Sequence, residues 1–534
     1  MVIELAILAL VIYTLLLIYL GRAGFRRAQA AEHFIHGGRR FGMGYVFFLV
    51  AAMWGSWIYG TELETSFLAG VSAFWFGVAV IIMSILVALL LLTPFRELGF
   101  ITNSGLIGDR FGKVARAISA LVIAFTFPIF AMVNILVAAS LFHVFLGWPL
   151  WLTLVAATVI IIAYVFAGGI WALAYTQVPN LFMMFIGLVV AAVYAVSHVG
   201  WQHLTTAMPA KFYSPWGVGI GIIVVWIIMD IINVLSAQVE YQAVCSCKDP
   251  AQGRKGVYLA SAVLVLFTAL PVFMGMAARV AFPTAKLGLV AFGELILHAP
   301  PAVLIIVTLG VWAGALTWSA PLMFSGASSL GMDLGILARS NATQPDLRRW
   351  CRWCLFVQAG AILAYALTRP DLVAWWMVFG MTLRNAAIFA PTIAILLWRA
   401  ATPAATLVSM IAGVATGLFW NALTGFSATV FYAGINPMYM GTAVATLLFV
   451  LISVLGNPNA RVNLASRFSG VGWAGIGVFV LFTLVSVFGL HAVQPIGLLG
   501  LTILLAIFGI FMAAIAMVED RTSTYAVPAP ETAN

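Results

Sequence analysis

The sequence predicts an all-α polytopic membrane protein, and three observations predict it. Of its 534 residues, 64% are hydrophobic and only 8% charged, where a soluble domain carries about 25% charged residues. Apolar stretches long enough to cross about 30 Å of hydrocarbon as helices recur along the whole chain. The basic residues gather in alternate connecting segments. The polar/apolar alternation of outer-membrane strands is absent, so the spans are helices. This composition excludes soluble enzymes, nucleic-acid binders and secreted disulfide scaffolds.

In chain order the expected spans are about 2–21, 44–70, 71–94, 115–145, 149–167, 177–198, 216–237, 257–282, 301–323, 353–369, 372–398, 403–424, 438–456, 471–490 and 495–518, about fifteen in all. The first starts with Glu4 instead of a basic run and is too long for a cleaved leader, so it is expected to remain as a helix. Fifteen alternating spans put the segments 22–43, 95–116, 238–257, 334–352, 399–402, 457–470 and the tail on one side. Those segments hold 20 of the 25 Lys and Arg. Lys211, Arg279, Lys286 and Arg369 fall on the other side, and Arg384 lies inside a span. The positive-inside rule then puts the N-terminus outside and the C-terminus in the cytoplasm; the expected location is an inner (plasma) membrane. The net charge of +9 therefore reports topology, with the lipid bilayer as partner and no nucleic acid. The tail 519–534 reads as a short disordered end.

Cysteines stand as Cys245-x-Cys247 and Cys351-x-x-Cys354, at expected cytoplasmic edges. A reducing compartment disfavours disulfides, and Cys-x-Cys without a nearby His is poor zinc spacing. They are read as packing residues, with no metal site. The seven histidines lie in loops or at span edges with no acidic motif beside them, which argues against an intramembrane enzyme.

Four short stretches carry a pattern. They are Glu32-His-Phe-Ile-His-Gly-Gly-Arg-Arg-Phe-Gly42, then Thr102 with Arg110-Phe111-Gly112, then Ala167-Gly-Gly-Ile-Trp-Ala-Leu-Ala-Tyr-Thr176, and Gln242-Ala-Val-Cys-Ser-Cys-Lys248-Asp249 followed by Arg254-Lys255-Gly256. Together, in this order and at these spans, they resemble the sodium:solute symporter family, of the solute carrier 5 kind with a leucine-transporter-type inverted-repeat fold. The chain departs from the pattern at Gln177 (Asp in the family), Asn180 (Gln) and Ala243 (Arg).

The resemblance implies a ten-helix core, 44–398, of two inverted five-helix repeats at 44–198 and 216–398. Helix 1–21 and the cytoplasmic loop 22–43 precede it, and four further spans follow in 399–518. It also implies a sodium site made of two carbonyls, mapped to Ala51 and Trp54, and of positions Gly314, Thr317 and Trp318, with Ser319 one step further round. Of these only Thr317 and Ser319 offer hydroxyls. In such a core the first helix of each repeat is broken near the midplane, where free carbonyls meet a cation and helix N-termini an anionic group. Gly55 and Gly60 suggest such a break in the first repeat; the alternative is that they allow close helix packing. Span 216–237 has no comparable interior glycine.

Four ionisable residues stand inside spans: Glu62, Glu64, Asp230 and Arg384. Burying such a group costs a few kcal/mol or more, so each needs a partner or a wet path. One reading is a structural ion pair, for example Glu62 with Arg384. The other is that Arg384 holds a substrate carboxylate while Glu62 or Asp230 titrates during transport. Glu64 is expected to face the outer vestibule. Trp57 and Tyr59 are candidate pocket-lining residues. The expected function is thus secondary active transport of a small, carboxylate-bearing organic solute by alternating access, coupled to sodium first and the proton second. No cofactor beyond that ion and no obligate protein partner is expected. The alternative function is a transport-deficient sensor or receptor on the same fold.

Overall fold

The computed structural model describes residues 2–25, 41–99, 102–339, 341–370, 373–520 and 522. Most of the first motif, from Glu32 to Arg40, and all of 523–534 lie outside them, as do the side chains at 167–172. The longer helices, in chain order, are α1 (Val2–Phe25), α2 (Met43–Ala69), α3 (Phe74–Leu86), α4 (Asn103–Phe111), α5 (Lys113–Leu146), α6 (Leu150–Val199), α7 (Ile220–Asn233), α8 (Gln238–Val244), α9 (Pro250–Ala281), α10 (Gly288–Leu297), α11 (Pro301–Ser328), α12 (Gln344–Thr368), α13 (Val373–Leu397), α14 (Pro403–Leu423), α15 (Pro437–Gly456), α16 (Ser469–Phe488) and α17 (Leu499–Met517). Two short strands, β1 (Ala460–Val462) and β2 (Val518–Asp520), pair antiparallel.

Several helices start on the same local device. A side-chain oxygen caps the first turn and proline occupies its first or second position, where no N–H is needed. Asp249 accepts from Gln252 N at 2.9 Å before Pro250, Thr402 from Ala405 N before Pro403, and Asn436 from Met438 N before Pro437. Thr343 and Asp346 form a capping box at α12.

The chain divides into two compact units. The first comprises Met1–Leu92, Phe127–Val218 and Val239–Met377. In it α9 packs along α2, and α11 crosses α6 where Gly187 meets Gly310. The second comprises Thr93–Thr126, Gly219–Gln238 and Val378–Asn534, with α14 against α15 and α16 against α17.

Twelve helices among the described residues are long and apolar enough to cross a membrane, or thirteen with the bent pair α7–α8. The expected fifteen differ at three places. Residues 43–97 form one nearly continuous helical run. At 1.5 Å per residue it would measure about 80 Å, far beyond one hydrocarbon thickness, and it turns at Gly70. That glycine has φ 69°, and a Cβ there would lie 1.9 Å from Phe212 O. The apolar stretch Leu150–Phe166 is short and runs on through the Gly-Gly motif as α6, whose Ala, Leu and Trp residues outweigh two glycines. Span 216–237 ends early, at the break between α7 and α8, with a bend of 52°.

Two further expectations are corrected. Gly55 and Gly60 do not interrupt α2, which is helical throughout. A Cβ on Gly55 would lie 3.0 Å from the Phe267 ring, and one on Gly60 would lie 2.1 Å from Asn134 Oδ1. Both glycines make room for neighbours. Residues 519 and 520, expected in a disordered tail, belong to β2.

Candidate functional site

In the first unit, α2 and α11 bring the expected cation-site residues to the protein interior. Ala51, Trp54, Trp57, Tyr59, Glu62, Thr317, Trp318 and Ser319 are all buried. Ser56 Oγ donates to Gly314 O at 2.6 Å, and Asn134 Nδ2 donates to Ser56 O and Oγ at 2.9 Å each. These bonds clamp α2, α5 and α11 together. The carbonyls of Ala51 and Trp54 lie inside continuous helix, where each already accepts an intrahelical N–H.

The positions on α11 divide by what they touch. Trp318 Nε1 donates to Phe130 O at 3.0 Å, and Ser319 Oγ donates to Ala131 O at 2.7 Å, so both reach toward α5. The Trp318 ring stacks on Trp57 with centroids 5.1 Å apart and planes 9° from parallel. Trp57 in turn meets Phe76 edge-on at 5.6 Å and donates to Met377 Sδ at 3.3 Å. The space between α2 and α11 at this level is filled by the indole pair.

Thr317 Oγ1, by contrast, is buried without a partner. Gln177 Nε2 donates to Thr317 O at 3.1 Å, while Gln177 Oε1 is unpartnered. Gln177 and Thr317, two positions the sequence analysis singles out, therefore meet in the interior. One turn on, Asn180 Oδ1 accepts from Tyr13 OH at 2.7 Å, which ties α1 to α6.

Both glutamates of α2 are buried. Glu64 does not face a vestibule: it accepts from Leu289 N at 2.9 Å and Gly288 N at 3.4 Å, capping α10, where a carboxylate also suits the helix dipole. Glu62 Oε1 accepts from Gly77 N at 2.8 Å. A third buried glutamate of this unit, Glu240, was passed over in the sequence. It is assigned there to a cytoplasmic linker, but it is only 3% exposed and accepts the Trp54 indole N–H at 3.2 Å.

The second unit holds Asp230 and Arg384, both buried. Arg384 Nη2 donates to Asn233 Oδ1 and contacts Met381 Sδ at 3.2 Å. Asn233 lies three residues after Asp230, on the same face of α7. The break that follows is held by amides: Asn385 Nδ2 donates to Met229 O at 2.9 Å, Ser236 Oγ donates to Asn385 Oδ1 at 3.0 Å, and Asn103 Nδ2 donates to Leu235 O at 3.0 Å. Asn103 and Asn385 were passed over in the sequence; an asparagine at the edge of, or within, an apolar span is the signal that marks them.

Residues 34–413 match the model of the sodium:solute symporter family. The human high affinity choline transporter 1 is 25% identical over 222 residues, 39% of this chain and 38% of that protein. A bovine sodium/mannose cotransporter is 24% identical over 351 residues, 55% of this chain and 58% of that protein. The chain thus spans less than two thirds of the length of these two relatives. The osmoregulated proline transporter OpuE of Bacillus subtilis (strain 168) is 23% identical over 494 residues, 86% of this chain and 96% of that one. Among solved structures, a substrate-bound outward-open Na+-coupled sialic acid symporter superposes with a TM-score of 0.68 at 16% identity, covering 84% of this chain and 98% of that one.

Proposed function

The chain belongs to the sodium:solute symporter family, and on that premise we propose that this multi-pass membrane protein is a secondary active transporter importing a small, carboxylate-bearing organic solute with a coupling cation. The observation that carries the solute class is Arg384. It sets an always-charged guanidinium, buried, inside an apolar helix long enough to cross a membrane, and the planar fork of that group suits a carboxylate in bidentate contact. Among the relatives named for their solutes, the proline transporter takes a carboxylate-bearing one, while those named for choline and mannose do not.

Sodium is the first cation to test and the proton the second. Support for sodium comes from the family and from the uncommitted Thr317 and Gln177 oxygens; support for the proton comes from the commitment of Trp318 and Ser319 to α5. The α7–α8 break supports alternating access, since unwound backbone beside a helix terminus is where such carriers bind their cargo. The proposed core is 44–398, with repeats 44–198 and 216–398, the N-terminus outside and the C-terminus in the cytoplasm.

The test is uptake into proteoliposomes of a solute set including proline and sialic acid, with choline as the cationic control. Uptake is driven first by a sodium gradient, then by a pH gradient without sodium. Preference for choline over every carboxylate would overturn the solute class. Binding without uptake under either gradient would replace the carrier with a receptor.

A further inference from the structure

Glu62 is fully buried on α2. Its Oε1 accepts one backbone N–H, from Gly77 at 2.8 Å, and its Oε2 has no partner. An ionised carboxylate removed from water needs a counter-charge or several donors to offset its lost hydration. A neutral carboxylic acid needs far less. With one donor and one idle oxygen, Glu62 has the surroundings of the acid.

The groups facing it leave that conclusion standing. Glu62 meets α3 and α9 at one spot, because a Cβ on Gly77 would lie 2.3 Å from Thr268 Oγ1 and 2.5 Å from Glu62 Oε1. Helix α3 carries no ionisable residue. On α9, Arg254, Lys255, Tyr258 and Arg279 all stand ten or more residues from Thr268, about 15 Å or more along the axis, and Arg279 lies over the Phe67 ring. On α2 itself, Glu64 is engaged with α10, and Tyr59 is the other nearby titratable group. Thr268 donates its hydroxyl to Leu264 O at 3.1 Å, so that proton is spent within α9.

We propose that Glu62 is a proton-binding site of this carrier, neutral in the conformation seen here and deprotonated when a change of conformation brings water to its free oxygen. In that step the O–H bond breaks, its electron pair stays on the carboxylate, and the proton passes to water. The proposal rests on the reading of the chain as a cation-coupled carrier and assigns one place at which a proton is carried.

The experiment is an infrared pH titration of the purified full-length protein in lipid nanodiscs, following the carbonyl band of buried protonated carboxyls. The probe is the proton alone, so a failure here is separable from a failure of the uptake assay. The wild type should show a band component at neutral pH that declines reversibly as the pH rises, and Glu62→Gln should lack it. Because the amide still accepts from Gly77 N–H, Glu62→Gln should unfold at an unchanged midpoint. A spectrum of Glu62→Gln identical to wild type overturns the proposal, as does a Glu62 component that persists until the protein unfolds. Should Glu62→Gln fail to fold, Glu62→Asp must shift the component, and an unshifted band overturns it equally.

Discussion

Replacing Gly310 by alanine tests the packing that sets the candidate site. A Cβ there would lie 2.7 Å from Gly187 Cα and 3.2 Å from Met183 O. Both are backbone atoms, so no side chain can turn away and the two helices must part by about 1 Å to restore ordinary contact. Overpacking of this kind costs about 1–3 kcal/mol. Gly360 is the control: it lies within α12 with nothing inside 4 Å of its Cβ position, so alanine there should stabilise by about 0.5–1 kcal/mol. The two variants should therefore differ by about 2–4 kcal/mol, read as the detergent-solubilised unfolding midpoint, with Gly310→Ala lower by a few degrees. Parting α6 from α11 also stretches the Gln177–Thr317 bond of 3.1 Å, so uptake should fall even below the unfolding temperature. Equal midpoints for Gly310→Ala and Gly360→Ala would refute the reasoning.

Arg384→Gln should abolish uptake of carboxylate solutes, and Arg384→Lys should not restore it, because a point charge lacks the planar fork; unchanged affinity in either variant would make the residue structural. Trp318→Ala removes a buried, stacked indole and should cost about 3–5 kcal/mol, measured by thermal unfolding, with a loss under 1 kcal/mol showing that the stack does not hold α2 to α11. Asn385→Ala removes the donor to Met229 O and one of the acceptors of Ser236 Oγ, which keeps Asn233 Oδ1, and should cost about 0.5–1.5 kcal/mol, with faster proteolysis or hydrogen exchange confined to 229–238. Reporter fusions in 238–257 and 334–352 should report the cytoplasm, and an external signal from either would reverse the proposed topology.

The fold class was legible because hydropathy and the distribution of Lys and Arg act over tens of residues. Single breaks were not. Gly55 and Gly60 look alike whether a helix unwinds or a neighbour presses close; only the positions of Phe267 and Asn134 decide between the two. The break after Asn233 carries no glycine because its carbonyls are held by side chains far away in sequence, Asn103 and Asn385. At the candidate site the residue types were legible and their commitments were not. Thr317 and Ser319 each offer a hydroxyl, yet Ser319 is spent on Ala131 O while Thr317 is uncommitted. Glu240 escaped notice because a span edge drawn from hydropathy stopped a few residues too soon.

The small ribbon of β1 and β2 bears on how the chain is made. Trp398 Nε1 donates to Val518 O at 3.0 Å, Asn457 Nδ2 to Asp520 Oδ2 at 2.9 Å, and Ser466 Oγ to Ala516 O at 2.6 Å. All three acceptors are made at or just after the C-terminal end of α17, whereas their donors have been waiting since before α16. Closure of this latch is thus a late event in biogenesis that only a chain translated through residue 520 can complete. A nonsense mutation a few codons earlier would remove the acceptor of the Trp398 indole N–H and the partner strand of β1, and affinity tags are best appended beyond residue 522, downstream of the latch.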